Sequence, residues 1–456
     1  MGAARLGREA APRVPRSRWP APLVGTRGAA SLPPAARLFY HGRVNNFCGG
    51  KAVRVVNIAH PALPMTRRHF LATTIASGFA LSTGLAEEKR TRVAVIGHTG
   101  RGGYGHGLDI MWLKLPETEI VAVADPDEKG LAAAKQKLSV ERGFADYRQM
   151  LAETKPEIVA IGPREITLHR DMALAAIAAG ARGIYMEKPF CRTLAEADEI
   201  LAACERTGAK LALAHRNRYH PTLPVVARLV QEGKIGRLLE IRGRGKEDAR
   251  GGPLDLWVLG SHILNVAVQI GGAPTSAAAT ILQDGRPITK ADVKEGGEGV
   301  GPLAGDEVHA RFELASGVPL FFDSVAKAGN PQAGLGLQII GTEGIIDIRI
   351  DTTPLAQLLP GSPFQPKPEP RAWIPITTAG VGEPEPIADV KDQVMQHLTA
   401  GRDLIAAIRE KRDPLCSARE GRVTVEMITG VFESARLGGQ RVPFPLTIRE
   451  NPLAAL

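Results

Sequence analysis

From residue 92 onward, short apolar runs alternate with stretches of helical period. Arg92-Val93-Ala94-Val95-Ile96 opens the series, followed by Ile120–Ala124, Ile158–Ile161, Gly183–Met186 and Lys210–Ala214. These runs have strand length and composition. Between them, 106–114, 132–139, 147–154, 171–179 and 194–207 read as helices, the last two ending at Gly180 and Gly208, the residue type favoured just past a helix end. A strand–helix rhythm of this kind predicts a parallel sheet covered on both faces, over residues 87–214. From residue 215 the rhythm changes. Leu223–Gln231 reads as a helix, Leu238–Arg242 as a strand and Leu254–Gln269 as mostly helical. Five strand patterns then follow without helices between them: 276–282, 308–314, 318–324, 336–340 and 345–350. Ala315-Ser316-Gly317 and Gly341-Thr342-Glu343-Gly344 are hairpin-turn material. This predicts a C-terminal α+β domain, 215–456, with a largely antiparallel open sheet covered by helices on one face. The other face suits a second subunit, so a homo-oligomer is expected. Residues 284–305 and 353–388 read as loops, and 389–411 and 418–437 as closing helices.

Composition narrows the class without naming it. The chain is 44% hydrophobic and 23% charged, the proportions of a globular protein. The formal charge of +9 belongs entirely to residues 1–64, which hold nine arginines and Lys51 against the single acid Glu9. The remainder is balanced, so nothing suggests a nucleic-acid-binding face. Cys48, Cys191, Cys204 and Cys416 make neither a disulfide scaffold nor a metal-ligand spacing, and no metal site is expected.

Arg67-Arg68 precedes Phe70-Leu71, and residues 69–86 contain no Asp, Glu, Lys or Arg. A basic pair, a mildly apolar stretch and small residues before returning charge describe a signal peptide over 65–86, with a cut after Ala86. The arginine pair resembles the twin-arginine (Tat) type. Ser, Thr and Gly dilute the stretch too much for a stable span, which needs ~20 mainly apolar residues. Export to the periplasm, with the Tat machinery as a transient partner, is therefore expected. Residues 1–64 read either as a basic, disordered extension or as upstream sequence joined to a chain that starts at Met65.

The first strand runs into Gly97-His98-Thr99-Gly100-Arg101-Gly102-Gly103, and the second ends at Asp125. Strand, glycine turn, helix, strand and acid is the order of a Rossmann dinucleotide-binding unit. Phosphate oxygens need backbone N–H donors unobstructed by Cβ, at a helix N-terminus. Gly97, Thr99, Gly100, Arg101 and Gly102 are the candidates for that cradle. Asp125 is placed to accept from the ribose. A carboxylate there favours NAD, while Arg101 offsets part of that preference and leaves NADP open.

Pro163 with His169, Glu187-Lys188-Pro189 after a strand, Arg218-Tyr219-His220-Pro221 and Gly260-Ser261-His262 follow in order. Together with the glycine turn, this series resembles the Gfo/Idh/MocA family of sugar-type oxidoreductases, from about Arg92 to the C-terminus. The resemblance implies that Pro163, His169, Glu187 and Lys188 lie at the cofactor, with a cis bond before Pro189. It assigns Lys188 the reacting hydroxyl, and a desolvated lysine can have the lowered pKa that proton transfer needs. His262 is the second acid–base candidate, its ordinary pKa of ~6.5 suiting the task. Arg218, Tyr219, Asp255 and Trp257 are candidates for the substrate pocket. One departure matters. The family's D-x-G-x-H pattern has an acid four residues before the histidine, and here that residue is Val258; Asp255 is the available substitute. His215 is a weaker candidate for facing the pocket, and His98 and His106 read as incidental.

The leading reading is an exported NAD(P)-dependent oxidoreductase that moves hydride between a tightly bound nicotinamide cofactor and a sugar or polyol hydroxyl. The alternatives are a glycoside hydrolase, lyase or epimerase that oxidises its substrate transiently, and a non-catalytic sugar-binding protein of the same fold.

Overall fold

The computed structural model describes residues 89–329, 335–365 and 369–456. The segments expected to form a basic extension and a signal peptide lie outside the described residues. Six parallel strands build the first sheet: β1 (Thr91–Ile96), β2 (Thr118–Ala124), β3 (Gly143–Phe144), β4 (Ile158–Ile161), β5 (Gly183–Met186) and β6 (Lys210–Leu213). Their order is β3-β2-β1-β4-β5-β6. β4 and β5 are buried at every position, as strands covered on both faces must be. The covering helices are α1 (Glu128–Leu138), α2 (Tyr147–Thr154), α3 (His169–Ala178) and α4 (Leu194–Thr207). Asp127, Asp146 and Thr193 cap α1, α2 and α4 by accepting backbone N–H bonds. The strand order reverses between β1 and β4, which leaves a crevice beyond their C-terminal ends.

One expected helix is missing. Between β1 and β2 only Ile110–Lys114 is helical, as a 3-10 segment. Gly100, Gly102, Gly103, Gly105 and Gly107 all have φ between +60° and +97°. A run of left-handed glycines cannot carry a right-handed helix, so 97–109 is an irregular loop.

The second domain adds α5 (Thr222–Gln231), β7 (Leu238–Arg244) and a long helix. The helix consists of α6 (Pro253–Asp255), a π-helical turn (Leu256–Gly260) and α7 (Ser261–Gly271). It is long and apolar enough to cross a membrane, yet 72% of it is buried within the fold. Beneath it lies a ten-stranded sheet. Its other strands are β8 (Pro274–Gln283), β9 (Arg286–Pro287), β12 (Glu307–Leu314), β13 (Pro319–Val325), β14 (Gly336–Gly341), β15 (Gly344–Arg349), β16 (Ala356–Pro360), β17 (Ile374–Ile376) and β18 (Val442–Pro443). β10 (Lys294–Glu295) and β11 (Pro302–Leu303) pair separately. All pairings in the large sheet are antiparallel except β13 with β7, so the sheet is mixed at its centre. Inward-facing Val308, Ala310, Phe312 and Leu314 on β12 alternate with more exposed residues, the pattern of a sheet packed on one side.

Two closing segments differ from expectation. Residues 353–388 are not a plain loop, because β16 and β17 extend the sheet there. The span 389–411 is two helices, α8 (Val390–Met395) and α9 (Leu398–Glu410), separated where His397 takes φ +61°. α9 packs on β5 and β6, while α10 (Ala418–Arg436) packs on α4, α7 and β8. The chain's last helices thus seal the two domains together rather than belonging to the second alone.

Candidate active site

The glycine turn closes on itself. His98 and Gly103 exchange backbone bonds of 3.1 and 3.0 Å, and Arg101 N–H donates to the His98 carbonyl at 3.1 Å. Gly97 sits beneath the Tyr104 ring, where a Cβ would come within 2.1 Å of Cε1. Gly102 abuts the Arg164 backbone, whereas a Cβ on Gly100 or Gly103 would meet nothing within 4 Å. Those two open positions are where an anion can approach the turn. Arg101 reaches Thr167 at 3.3 Å and Glu165 at 3.6 Å, tying the turn to the loop after β4.

Asp125 is not free for a ribose. It is fully buried, and its carboxylate accepts from Thr99 N, Thr99 Oγ1 and Asp127 N at 2.8–3.1 Å. The acid therefore shapes the turn from beneath. Asp127, which no motif singled out, is the exposed acid of the pair.

Lys188 follows β5 and is joined to Pro189 by a cis bond. Its ammonium is buried and donates to the Val258 carbonyl at 2.8 Å. Val258 lies in the π-helical turn; such turns are rare and recur at functional sites. Position 258 thus meets Lys188 through its backbone rather than through a carboxylate. Burial pushes the Lys188 pKa down, against the pull of Glu187 and Glu298. Glu187 is buried as well. Burial raises its pKa, but the His106 Nδ1 contact at 2.8 Å and the charges of Lys188, His106 and His397 outweigh it, leaving the pKa below the usual range. Glu187 Oε2 has no partner. His106 is therefore part of the site. Only its place beside the glycine run could have signalled it.

His262 stands at the start of α7 with its ring against that of His215, centroids 4.9 Å apart at 80°. Both are buried, and the Nδ1 of each lacks a partner. Burial, reinforced by Lys188, lowers the His215 pKa to about 3. Burial, then His215 and Lys188, holds His262 well below its usual value. The expectation of a histidine titrating near neutrality is not met: burial keeps His262 neutral, able to accept a hydrogen bond.

The structure does not bring the other candidates into this cluster. Asp255 is fully buried and accepts from Ser324 Oγ at 2.6 Å and Glu247 N at 3.0 Å, so it fastens α6 to the sheet instead of partnering His262. Trp257 is core, packed near Phe432 of α10. Tyr219 is buried with its hydroxyl on the Leu213 and Cys416 carbonyls. Arg218 donates to the Leu415 carbonyl at 3.0 Å. His169 is fully buried, its ring nitrogens 2.8 Å from the Pro163 and Pro189 carbonyls. It ties two loops together and does not face the crevice. Cys191, Cys204 and Cys416 are buried thiols, with burial raising the last two to about 11 and about 12. Among the described residues, no group of three or more His, Cys, Asp or Glu could hold a metal.

The crevice fits a dinucleotide at two places. Open left-handed glycines lie past β1, and unpartnered buried polar atoms of Glu187, His215 and His262 lie past β5 and β6. Sheet order, glycine turn and crevice define the first domain as a nucleotide-binding α/β unit. Residues 91–215, which span the first domain, match the family GFO_IDH_MocA, described as an oxidoreductase family with an NAD-binding Rossmann fold. D-apiose dehydrogenase of Paraburkholderia graminis is 32% identical over 45% of this chain and 56% of its own. Levoglucosan dehydrogenase of Pseudarthrobacter phenanthrenivorans is 27% identical over 51% and 65%. The chain thus spans less than two thirds of these relatives in alignment. By structure, levoglucosan dehydrogenase in complex with NADH and levoglucosan superposes with a TM-score of 0.63 at 20% identity, covering 78% of this chain and all of that one. The two-domain fold is the same.

Proposed function

We propose that this protein is an NAD-dependent oxidoreductase that transfers hydride between nicotinamide and a hydroxyl-bearing carbon of a sugar or polyol. The observation that carries this reading is Lys188: a desolvated amine at the end of β5, beside two neutral histidines and the glycine crevice. Nicotinamide, when bound, supplies the hydride acceptor. Gly100 and Gly103 leave the backbone open to the phosphates, and Glu187 Oε2 is available to the nicotinamide end. A lysine with a lowered pKa spends more of its time as the free amine, which can take the hydroxyl proton as hydride leaves carbon. His262, held neutral by burial, accepts a hydrogen bond from the same hydroxyl. The sugar class rests on the named activities of the relatives, D-apiose and levoglucosan dehydrogenases.

The test is to purify the protein, record retained nicotinamide by absorbance and incubate it with NAD and a panel of sugars and polyols. Net NADH formation supports the reading. Altered sugar without net NADH points to transient oxidation, and binding without either points to a sugar-binding protein. The same reading places the mature chain in the periplasm, supported by Arg67-Arg68 and the uncharged stretch after them. Processing after Ala86, lost in R67K/R68K, checks it. The uncovered face of the large sheet, where Arg242 and Arg311 lie over the Phe321 ring, suits a second copy of the chain. Light scattering on the purified protein reads the oligomer.

A further inference from the structure

The segment 284–305 reads in the sequence as a connection between strands, yet it crosses from the second domain to the first. Gly299, at φ +72°, lies so close to the loop after β4 that a Cβ there would come within 2.1 Å of Glu165 Oε1 and 2.9 Å of Thr167 Cγ2. On its other side, a Cβ on Gly297 would sit 3.7 Å from Leu254 Cδ2, at the start of the helix that carries His262. Val300 is buried. Between these anchors Glu298 is held at φ +57°, ψ +18°, a left-handed conformation uncommon for a residue with a long side chain. Its Oε2 is shut away from solvent with no partner. Arg250 is held by Asp248 at 2.5 and 3.0 Å, and Lys188 by the Val258 carbonyl. A buried carboxylate oxygen without a donor is costly, and a strained backbone that maintains one points to a donor arriving with a ligand.

We propose that Glu298 is a carboxylate of the substrate pocket, and that it accepts a hydrogen bond from a sugar hydroxyl next to the one Lys188 engages. This rests on the reading of the site as a sugar oxidoreductase. The donor class follows from the chemistry: an ionised carboxylate only accepts, and a polyol presents adjacent O–H donors. The groups acting on Lys188 are Glu187, Glu298, Arg250 and Arg164, and the rings of His215 and His262 feel its charge in turn. Glu298 is thus the opposing charge contributed by the second domain.

The test uses two variants of the full chain. Glu298→Gln removes the charge and keeps the shape. Glu298→Gly removes the side chain and suits the left-handed backbone, so its loop is retained. Lys188 modification by an amine-acylating reagent, followed by peptide mass spectrometry across pH, reads the lysine without requiring activity. NADH affinity comes from fluorescence, and KM and kcat from NADH formation with the best sugar of the panel. Both variants are expected to lower the midpoint of Lys188 labelling, because losing a negative neighbour favours the free amine. They are expected to raise the sugar KM by about tenfold and to leave NADH affinity within about threefold, as for loss of one charged hydrogen bond to substrate alone. An unchanged labelling midpoint, or an unchanged KM, overturns the proposal. A wild-type protein that oxidises no sugar sinks the functional reading and the sugar contact with it, and the labelling midpoint then reports whether Glu298 faces Lys188.

Discussion

The two walls of the crevice are built on different principles. The wall past β1 is backbone. Glycines with positive φ, a turn closed by His98 and Gly103, and a buried Asp125 holding Thr99 from below leave little for side chains to do. The opposite wall, from Lys188 to the π-helical turn and α7, is made of desolvated side chains: an amine, two neutral imidazoles and a carboxylate fixed by His106. The first wall suits a ligand recognised by its phosphates, the second a reacting atom that loses a proton. Substitutions on the second wall should therefore change rate, and those on the first should change cofactor affinity.

The largest expected effect tests the second wall. Lys188→Met should lower kcat/KM by about 10²–10⁴-fold, the usual worth of a positioned proton acceptor, while NADH affinity holds. If NADH affinity falls in step with the rate, the lysine serves the cofactor and the division between walls collapses. On the first wall, Gly97→Ala places a methyl 2.1 Å from the Tyr104 ring, so ring and turn must shift. Overpacking of this kind costs about 1–3 kcal/mol, and NADH affinity should weaken about tenfold with kcat little changed. Adding Tyr104→Ala removes the obstruction, and a double-mutant cycle should show strong coupling. Additivity would mean the ring does not shape the turn.

A third effect is a pH dependence of stability. His215 has a folded pKa of about 3, and His220 and His397 of about 4, each lowered first by burial from 6.5. Between those values and 6.5 the unfolded chain binds more protons than the folded one, so stability is full above 6.5 and falls as pH drops toward 3. The urea midpoint should therefore decline from pH 7.5 to 4.5. His215→Gln, which cannot titrate, should shrink that decline, and an equal decline in variant and wild type would mean that His215 is protonated in the folded state.

The first wall was the more legible in sequence because backbone requirements leave local marks. A glycine run after an apolar strand gives the sheet and the turn. The missing helix after the turn follows from the same glycines: their number favours left-handed backbone over the helical period of 106–114. The second wall was harder because its partners are distant in sequence. His106 meets Glu187 across 81 positions, and Lys188 meets the Val258 carbonyl across 70. Asp255 and Tyr219 have functional residue types and the right neighbourhood, but their hydrogen bonds turn them into the sheet and the domain seam. Residue type alone does not tell which side of a helix faces the crevice when a π-helical turn interrupts the helix.

The smallest expected effect marks where the second wall ends. Arg218 belongs to the motif that suggested a substrate contact, yet its Nε donates to the Leu415 carbonyl at 3.0 Å and its Nη1 lies 3.5 Å from the Asn265 carbonyl. Those bonds join the segment after β6 to α7 and to the segment before α10. Arg218→Ala should therefore cost stability of about 0.5–1.5 kcal/mol, the net worth of a hydrogen bond, and leave the sugar KM within about twofold. Arg218→Lys should restore part of the stability, since an ammonium can reach one carbonyl but not hold both. A tenfold rise in KM with stability unchanged would show instead that the arginine turns to the substrate when sugar binds, and the reactive wall would then extend past His262 to the domain seam.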